Sequence, residues 1–312
     1  MKQHFSFLFI CILSFISTTT DAQNQKNINE DSISSSGILV SIQELHEIKN
    51  KASSGIEPFK TNVSVFIDFI DSLMLASLNW PQLYGEIVIS GGSSSEPVQL
   101  SSTGGKLAYG AAIAWHLTNE EKYAQCAKKL ILDLTDTYGY RDANKEEFHW
   151  GAQGILNLAR GGTPYIYGAV LLENWHGWTV SDKLKYQIWL RDVMYTKVAW
   201  ASRTRKNNWG VAGSFSAALI SYYLMDHPEW KLVELSPSPY KLSPREAFKS
   251  HNAFQIGRLK TSDDWKMDAK VAKWGILPNG AIPEEIRRGK DPIDGDHLES
   301  NGSGTEYTMT HN

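Results

Sequence analysis

From residue 65 onward, apolar side chains return every three or four residues in one stretch after another, while the alternation of a half-buried strand is rare. A chain patterned this way must bury helical faces against helical faces. Phe66, Phe69, Ile70, Leu73 and Met74 mark one such face within 65–78, and Trp80-Pro81 ends it. Residues 91–105 are dense in Gly and Ser and read as a loop. Residues 106–117, rich in Ala, Leu, Ile and aromatics, read as a buried helix. Thr118 and Glu121 have the spacing of a capping box and announce another helix, with Tyr123, Ala127, Leu130, Ile131 and Leu134 on one face and a stop at Tyr138-Gly139. Helical stretches at 155–159 and 165–173, a run capped by Ser181 that reaches Trp200, and 209–225 before His227-Pro228 continue the series. Successive helix pairs without a short exact repeat predict an all-α fold. An (α/α) toroid, an incomplete barrel of helix hairpins, fits best, although a bundle or a solenoid shares the pattern. Residues 236–244 and 278–304, rich in Pro, Gly and Ser, read as long loops, where function concentrates in a helical domain.

At the start of the chain, Lys2 precedes an apolar run over 5–16, followed by small and polar residues ending at Ala22. That layout predicts a signal peptide over 1–22, a flexible polar leader over 23–37 and one folded domain over 38–312, placed outside the cell or in a periplasm. Of the two cysteines, Cys11 belongs to the signal, so Cys126 is the one thiol of the mature chain and no internal disulfide forms; its helical setting predicts burial. Asn62 and Asn301 match the glycosylation pattern, which matters only in a eukaryotic secretory route. A formal net charge of -3 gives no general attraction to nucleic acid or anionic lipid, so neither is an expected partner once the signal is removed. A grip on an anionic polymer must therefore be local.

Two segments carry residues suited to chemistry. Arg205-Lys206-Asn207-Asn208-Trp209-Gly210 sets two cations and two amides at a helix start, where free backbone N–H groups and the helix dipole also favour an anion. The plainer reading is that Asn208 caps the helix and Trp209 packs. The second segment runs Gly280-Ala281-Ile282-Pro283-Glu284-Glu285-Ile286-Arg287-Arg288-Gly289 and is followed after a loop by Glu306-Tyr307.

Taken in order, these segments resemble the alginate lyase superfamily, whose members carry an Asn-Asn motif before a helix and later a G-x-x-P-x-E-x-x-R-G stretch leading to a catalytic tyrosine. Gly280, Pro283, Glu284 or Glu285, Arg288 and Gly289 follow that stretch, and Tyr307 fits the tyrosine. Trp209 stands where the best-known branch has histidine, and the spacing from Arg288 to Tyr307 is longer. The Asn-Asn-Trp form is similar to the glucuronan and alginate lyases of polysaccharide lyase family 38, with the histidine supplied from elsewhere. His251, in the long loop region expected between the motifs, is the first candidate and His149, beside Trp150, the second. The chain ends at Asn312, soon after Tyr307, where members of the family continue into further helices; the resemblance thus implies a toroid truncated at its C-terminus.

The resemblance implies β-elimination on a β-1,4-linked polyuronate, alginate or glucuronan, with no cofactor and no metal. The C5 proton of a uronate becomes removable only when its carboxylate is neutralised or strongly hydrogen-bonded. Arg288 can pair with the carboxylate, Asn207 and Asn208 can donate to the developing oxyanion, and Tyr307, with a histidine, can move the proton. Arg205, Trp209, Glu284, His149 and Trp150 complete the expected substrate-binding set. The rival readings are an α/α-barrel glycoside hydrolase, for which Asp263-Asp264 offers the best carboxylate pair, and a secreted carbohydrate-binding protein without catalysis. Asp291, Asp294 and Asp296 form an acidic cluster without the ordered spacing of a calcium loop and read as a solvated turn.

Overall fold

A computed structural model describes residues 38–80, 85–89, 96–142, 151–204, 208–230, 235 and 242–255. Helix α1 (Ile42–Ser53) opens on a reciprocal cap: the Glu44 amide donates to the Ser41 hydroxyl at 3.1 Å, and the Ser41 amide donates to the Glu44 carboxylate at 2.8 Å. Helix α2 (Phe59–Ser77) contains the apolar stripe expected at 65–78 and begins earlier. Phe66 and Ile70 are its buried residues, and burial of each contributes about 1.5–3 kcal/mol. They face Gly110 of helix α3 (Glu96–Thr118) so closely that a β-carbon there would lie 2.6 Å from Ile70 Cδ1.

Helix α4 (Glu121–Leu134) returns along α3 after Asn119 and Glu120, with Asn119 in the left-handed region at φ 65°. The capping box expected of Thr118 and Glu121 does not form. Thr118 Oγ1 instead donates back to the Ala114 carbonyl at 2.8 Å and accepts from the Glu120 amide at 3.0 Å, so the hydroxyl closes the first helix rather than opening the second. Helix α5 (Gly151–Leu172) runs unbroken through Gly161-Gly162-Thr163-Pro164, where two shorter stretches were expected. Helix α6 (Val180–Trp189) is capped by Thr179 rather than Ser181, passes into a π-helical turn (Leu190–Tyr195) and continues as α7 (Thr196–Thr204). Helices α8 (Asn208–Met225) and α9 (Pro244–Gln255) follow, with a 3-10 turn (Pro228–Trp230) between them. Ser243 and Glu246 form a reciprocal cap at the start of α9, as Thr179 and Asp182 do at the start of α6.

Helices α3, α5 and α8 form an inner layer, and their contacts show that they run parallel. Along the α3–α5 seam, Gly105 meets Gly161, Ala108 meets Gly168, and His116 Nε2 lies 2.9 Å from the Leu171 carbonyl. Along the next seam, Ser216 Oγ donates to the Ala159 carbonyl at 3.2 Å and Tyr223 Oη donates to Glu173 at 2.9 Å. Glycines make the first seam possible, since a β-carbon on Gly105 would lie 2.8 Å from the Gly161 carbonyl oxygen. The inner helices α3 and α8 are apolar nearly all round, as buried helices must be, whereas the returning helices α4, α6 and α9 are amphipathic and bury one face. Parallel inner helices backed by antiparallel returns give the helix-hairpin architecture of an (α/α) toroid.

Two short strands depart from the all-helical expectation. β1 (Gly85–Ile89) and β2 (Thr137–Asp142) pair in parallel, with Gly85 opposite Thr137 and Ile89 opposite Asp142. Helices α3 and α4 supply the crossover that a parallel pair requires.

Candidate active site

Because the inner helices are parallel, the N-termini of α3, α5 and α8 lie at one end of the layer. Asn208 and Trp209 occupy the first turn of α8, at that end. In sequence, Arg205 to Asn207 lead directly into α8, and His149-Trp150 lead directly into α5 at Gly151. Orphan amide donors and the positive ends of three helix dipoles thus share one side of the layer. Arg205, Asn207, His149, Trp150, Glu284, Arg288 and Tyr307 lie outside the described residues, as do Asp263, Asp264, Asp291, Asp294 and Asp296.

His251 belongs to helix α9 rather than to a loop, and its side chain is 0% exposed. The loop expectation rested on the composition around 236–244; the helix instead starts at Pro244, behind the Ser243 cap. Both ring nitrogens are engaged. Tyr195 Oη lies 3.0 Å from Nε2, Ser202 Oγ lies 2.9 Å from Nδ1, and Ser202 Oγ is 2.8 Å from Ser214 Oγ. With the ring proton on Nδ1, Tyr195 donates to Nε2, His251 donates to Ser202, and Ser202 donates to Ser214; the other tautomer reverses every donor. This chain ties the π-helical turn, α7, α8 and α9 together around the imidazole. It fastens α7 to α8, the helix that begins at Asn208: Ser202 stands on one and Ser214 on the other, and a β-carbon on Gly213 would lie 2.7 Å from the Val198 carbonyl oxygen.

Sequence reasoning did not single out Tyr195, Ser202 or Ser214, because a buried polar chain becomes visible only once four elements meet. It also passed over Lys106 and Arg160. The available signal was a lone cation inside an otherwise apolar helical stretch, in Gly105-Lys106-Leu107 and Ala159-Arg160-Gly161. Both side chains are exposed although the residues around them are buried. The Lys106 ammonium is held below the ordinary lysine value by partial desolvation between the helices. Nearby, Tyr109 and Tyr167 pack their rings at 5.4 Å, and burial pushes both phenols well above the ordinary tyrosine value. Burial also pushes the half-buried Cys126 thiol up to about 11. Among the described residues, no group of three or more His, Cys, Asp or Glu is placed to hold a metal ion, and no helix is long and apolar enough to cross a membrane.

Residues 98–236 match the family model described as alginate lyase, a span that takes in α5, α8, all but the first two residues of α3, and Asn207-Asn208, and stops before Arg288 and Tyr307. No curated protein matches the chain. Among solved structures, the chain is similar to the crystal structure of an alginate lyase from Bacteroides ovatus at 1.60 Å resolution, with 16% identity and a TM-score of 0.49. The likeness covers 79% of this chain and 68% of that one. The family match supports a polysaccharide lyase.

Proposed function

We propose that the chain is an exported polysaccharide lyase that cleaves a β-1,4-linked polyuronate, alginate or glucuronan, by β-elimination. The observation that carries this reading is the alginate lyase family match across helices whose shared N-terminal end bears Asn208. The proposed signal over 1–22 directs export, and the domain over 38–312 performs the reaction.

In the proposed reaction, Arg288 pairs with the uronate carboxylate, and the Asn207 and Asn208 amides donate to it as negative charge builds up. Tyr307 takes the C5 proton. The C4–O bond breaks as the C4–C5 double bond forms, and the proton is returned to the departing glycosidic oxygen. A phenol that normally titrates near about 10 needs cationic company to act as the base, and Arg288 supplies it. An imidazole with 0% exposure and two engaged nitrogens is suited to holding structure rather than carrying protons, so within this proposal His149 is the histidine nearer the chemistry and His251 a support. Arg205, Trp209, Trp150 and Glu284 line the substrate path.

Incubation with a panel of purified polyuronates tests the reading. A lyase produces ultraviolet absorbance from the unsaturated uronate at the new non-reducing end. New reducing ends without that absorbance would establish hydrolysis instead, and binding without either signal would leave a carbohydrate-binding protein. Tyr307→Phe should abolish turnover while leaving the helical circular dichroism unchanged.

A further inference from the structure

His116 interrupts the apolar run Ala114-Trp115-His116-Leu117 near the C-terminal end of α3 and is 8% exposed. Its Nε2 lies 2.9 Å from the Leu171 carbonyl. A carbonyl oxygen only accepts, so Nε2 carries the proton and donates, and in the neutral ring Nδ1 is a bare lone pair. Among the described residues no donor reaches that lone pair. Burial disfavours the charged ring and, with His46 and Lys49 close by, outweighs the pull of the Leu171 carbonyl, holding the imidazolium below the ordinary histidine value. His46 stands on the exposed side of α1, next to the buried Leu45 that anchors this helix in the core. The two imidazole centroids are 6.1 Å apart, with the rings inclined at 55°. The backbones that carry them are fixed by the reciprocal cap of α1 and by the packing of α3, and the Trp115 ring lies 4.4 Å from that of His116. His46 makes no hydrogen bond among the described residues, so its ring turns about its own side-chain bonds.

From this arrangement we infer that His46 and His116 form a two-histidine site for a divalent transition ion of the zinc class, bound through His116 Nδ1 and a ring nitrogen of His46, with water completing the coordination. Zinc–nitrogen bonds of about 2.0–2.1 Å hold the centroids of two imidazoles on one ion about 5–6.5 Å apart, so the observed separation needs little more than rotation of the exposed ring. A ligating imidazole gives its second N–H to a carbonyl or carboxylate, which fixes the tautomer and aims the lone pair, and the Leu171 carbonyl already does this for His116. Imidazole suits zinc, copper and nickel, whereas calcium and magnesium take oxygen ligands. Two protein ligands, where a structural zinc centre has four, make this an accessory and reversible site. Lys49 works against it, since its charge already acts on His116. The pair lies toward the C-terminal end of α3, opposite the end at which Asn208 opens α8, so the ion clasps α1 to α3 away from the proposed chemistry. It stands apart from the polyuronate reading.

Calorimetric titration of the full chain with zinc chloride tests this, with His46→Gln as the decisive variant because an exposed side chain changes without disturbing the core. Wild type should bind one ion per chain that His46→Gln binds roughly tenfold more weakly or not at all. Lys49→Gln should tighten binding severalfold by removing the opposing charge. Zinc should raise the thermal midpoint of wild type more than that of His46→Gln, because the ion binds only where α1 and α3 are packed together. In crystals soaked with zinc chloride, anomalous scattering should place the ion about 2.1 Å from both His116 Nδ1 and a His46 nitrogen. Coinciding isotherms for wild type and His46→Gln overturn the inference, as does an ion that His116 does not ligate. None of these readouts uses turnover, so the lyase reading stands or falls separately.

Discussion

His251→Phe removes an imidazole from a site with 0% exposure and substitutes a ring that cannot hydrogen-bond. Tyr195 Oη loses one bond at 3.0 Å, and Ser202 Oγ loses one bond at 2.9 Å while keeping Ser214. A buried polar group deprived of a bond costs about 1–3 kcal/mol. Because Ser202 stays partly satisfied, the pair of losses amounts to about 2–5 kcal/mol, a large share of the roughly 5–15 kcal/mol that holds a typical domain folded. His251→Asn keeps one polar atom in reach and should recover about half of that, by the same arithmetic. Urea unfolding followed by far-ultraviolet circular dichroism measures both, with the midpoint expected to fall in the order wild type, Asn, Phe at constant slope. An unchanged midpoint for His251→Phe would refute the reasoning, since it would mean that the Tyr195–His251–Ser202–Ser214 chain carries no net stability.

Gly105→Ala places a β-carbon 2.8 Å from the Gly161 carbonyl oxygen and from the Tyr165 ring; the inner seam must open, at a cost of about 1–3 kcal/mol, read as a lower thermal midpoint. Burial disfavours ionisation of Asp182, but bonds from Lys128 and Thr179 outweigh it and hold the carboxyl below its ordinary value. Its contribution is therefore present above the ordinary carboxylate range and is lost as pH falls through the folded value. Asp182→Asn should flatten the acid limb of the stability profile, and an unaltered limb would remove Asp182 from the account. With the Cys126 thiol at about 11, native protein at pH 8 should alkylate on the order of a hundredfold more slowly than an unfolded thiol, whose pKa is about 8.5, and the rate should rise when urea unfolds the chain.

Helix positions were legible in the sequence where one apolar face repeated, as in 65–78 and 121–134, because local periodicity is what a helix buries, and 209–225 was legible as a long, almost wholly apolar run. The misreadings share one cause, which is that tertiary contacts decided them. Gly104 and Gly105 look like loop residues but serve as the flat surface on which Tyr165 and Gly161 rest. Gly161 to Pro164 look like a break but continue a helix, in which a β-carbon on Gly162 would lie 2.8 Å from the Met194 side chain. Thr118 carries the spacing of a cap and spends its hydroxyl on the preceding turn. At the candidate site, the Asn pair could be read because a helix start has a composition of its own, and the structure begins α8 at Asn208. The meeting of Gly105 with Gly161 could not, because residues so far apart in sequence meet only through the parallel stacking of α3 and α5. His251 shows the converse: a histidine near the right motifs in sequence is enclosed in the packing.

The π-helical turn Leu190–Tyr195 closes its hydrogen bonds over one more residue than an α-helix does. It places one more residue in the turn than an α-helix would, and its effect is a phase shift. Trp189 before it bonds the Thr137 carbonyl, whereas Val198 and Ala201 after it pack on Gly213. No point substitution can undo such a shift. Only deletion of a residue restores the α-helical phase, and it would turn everything downstream of the turn by about 100° relative to α6, so that the partners on the two sides could no longer be met together. Descendants of this chain are therefore free to vary the side chains of the turn far more readily than its length.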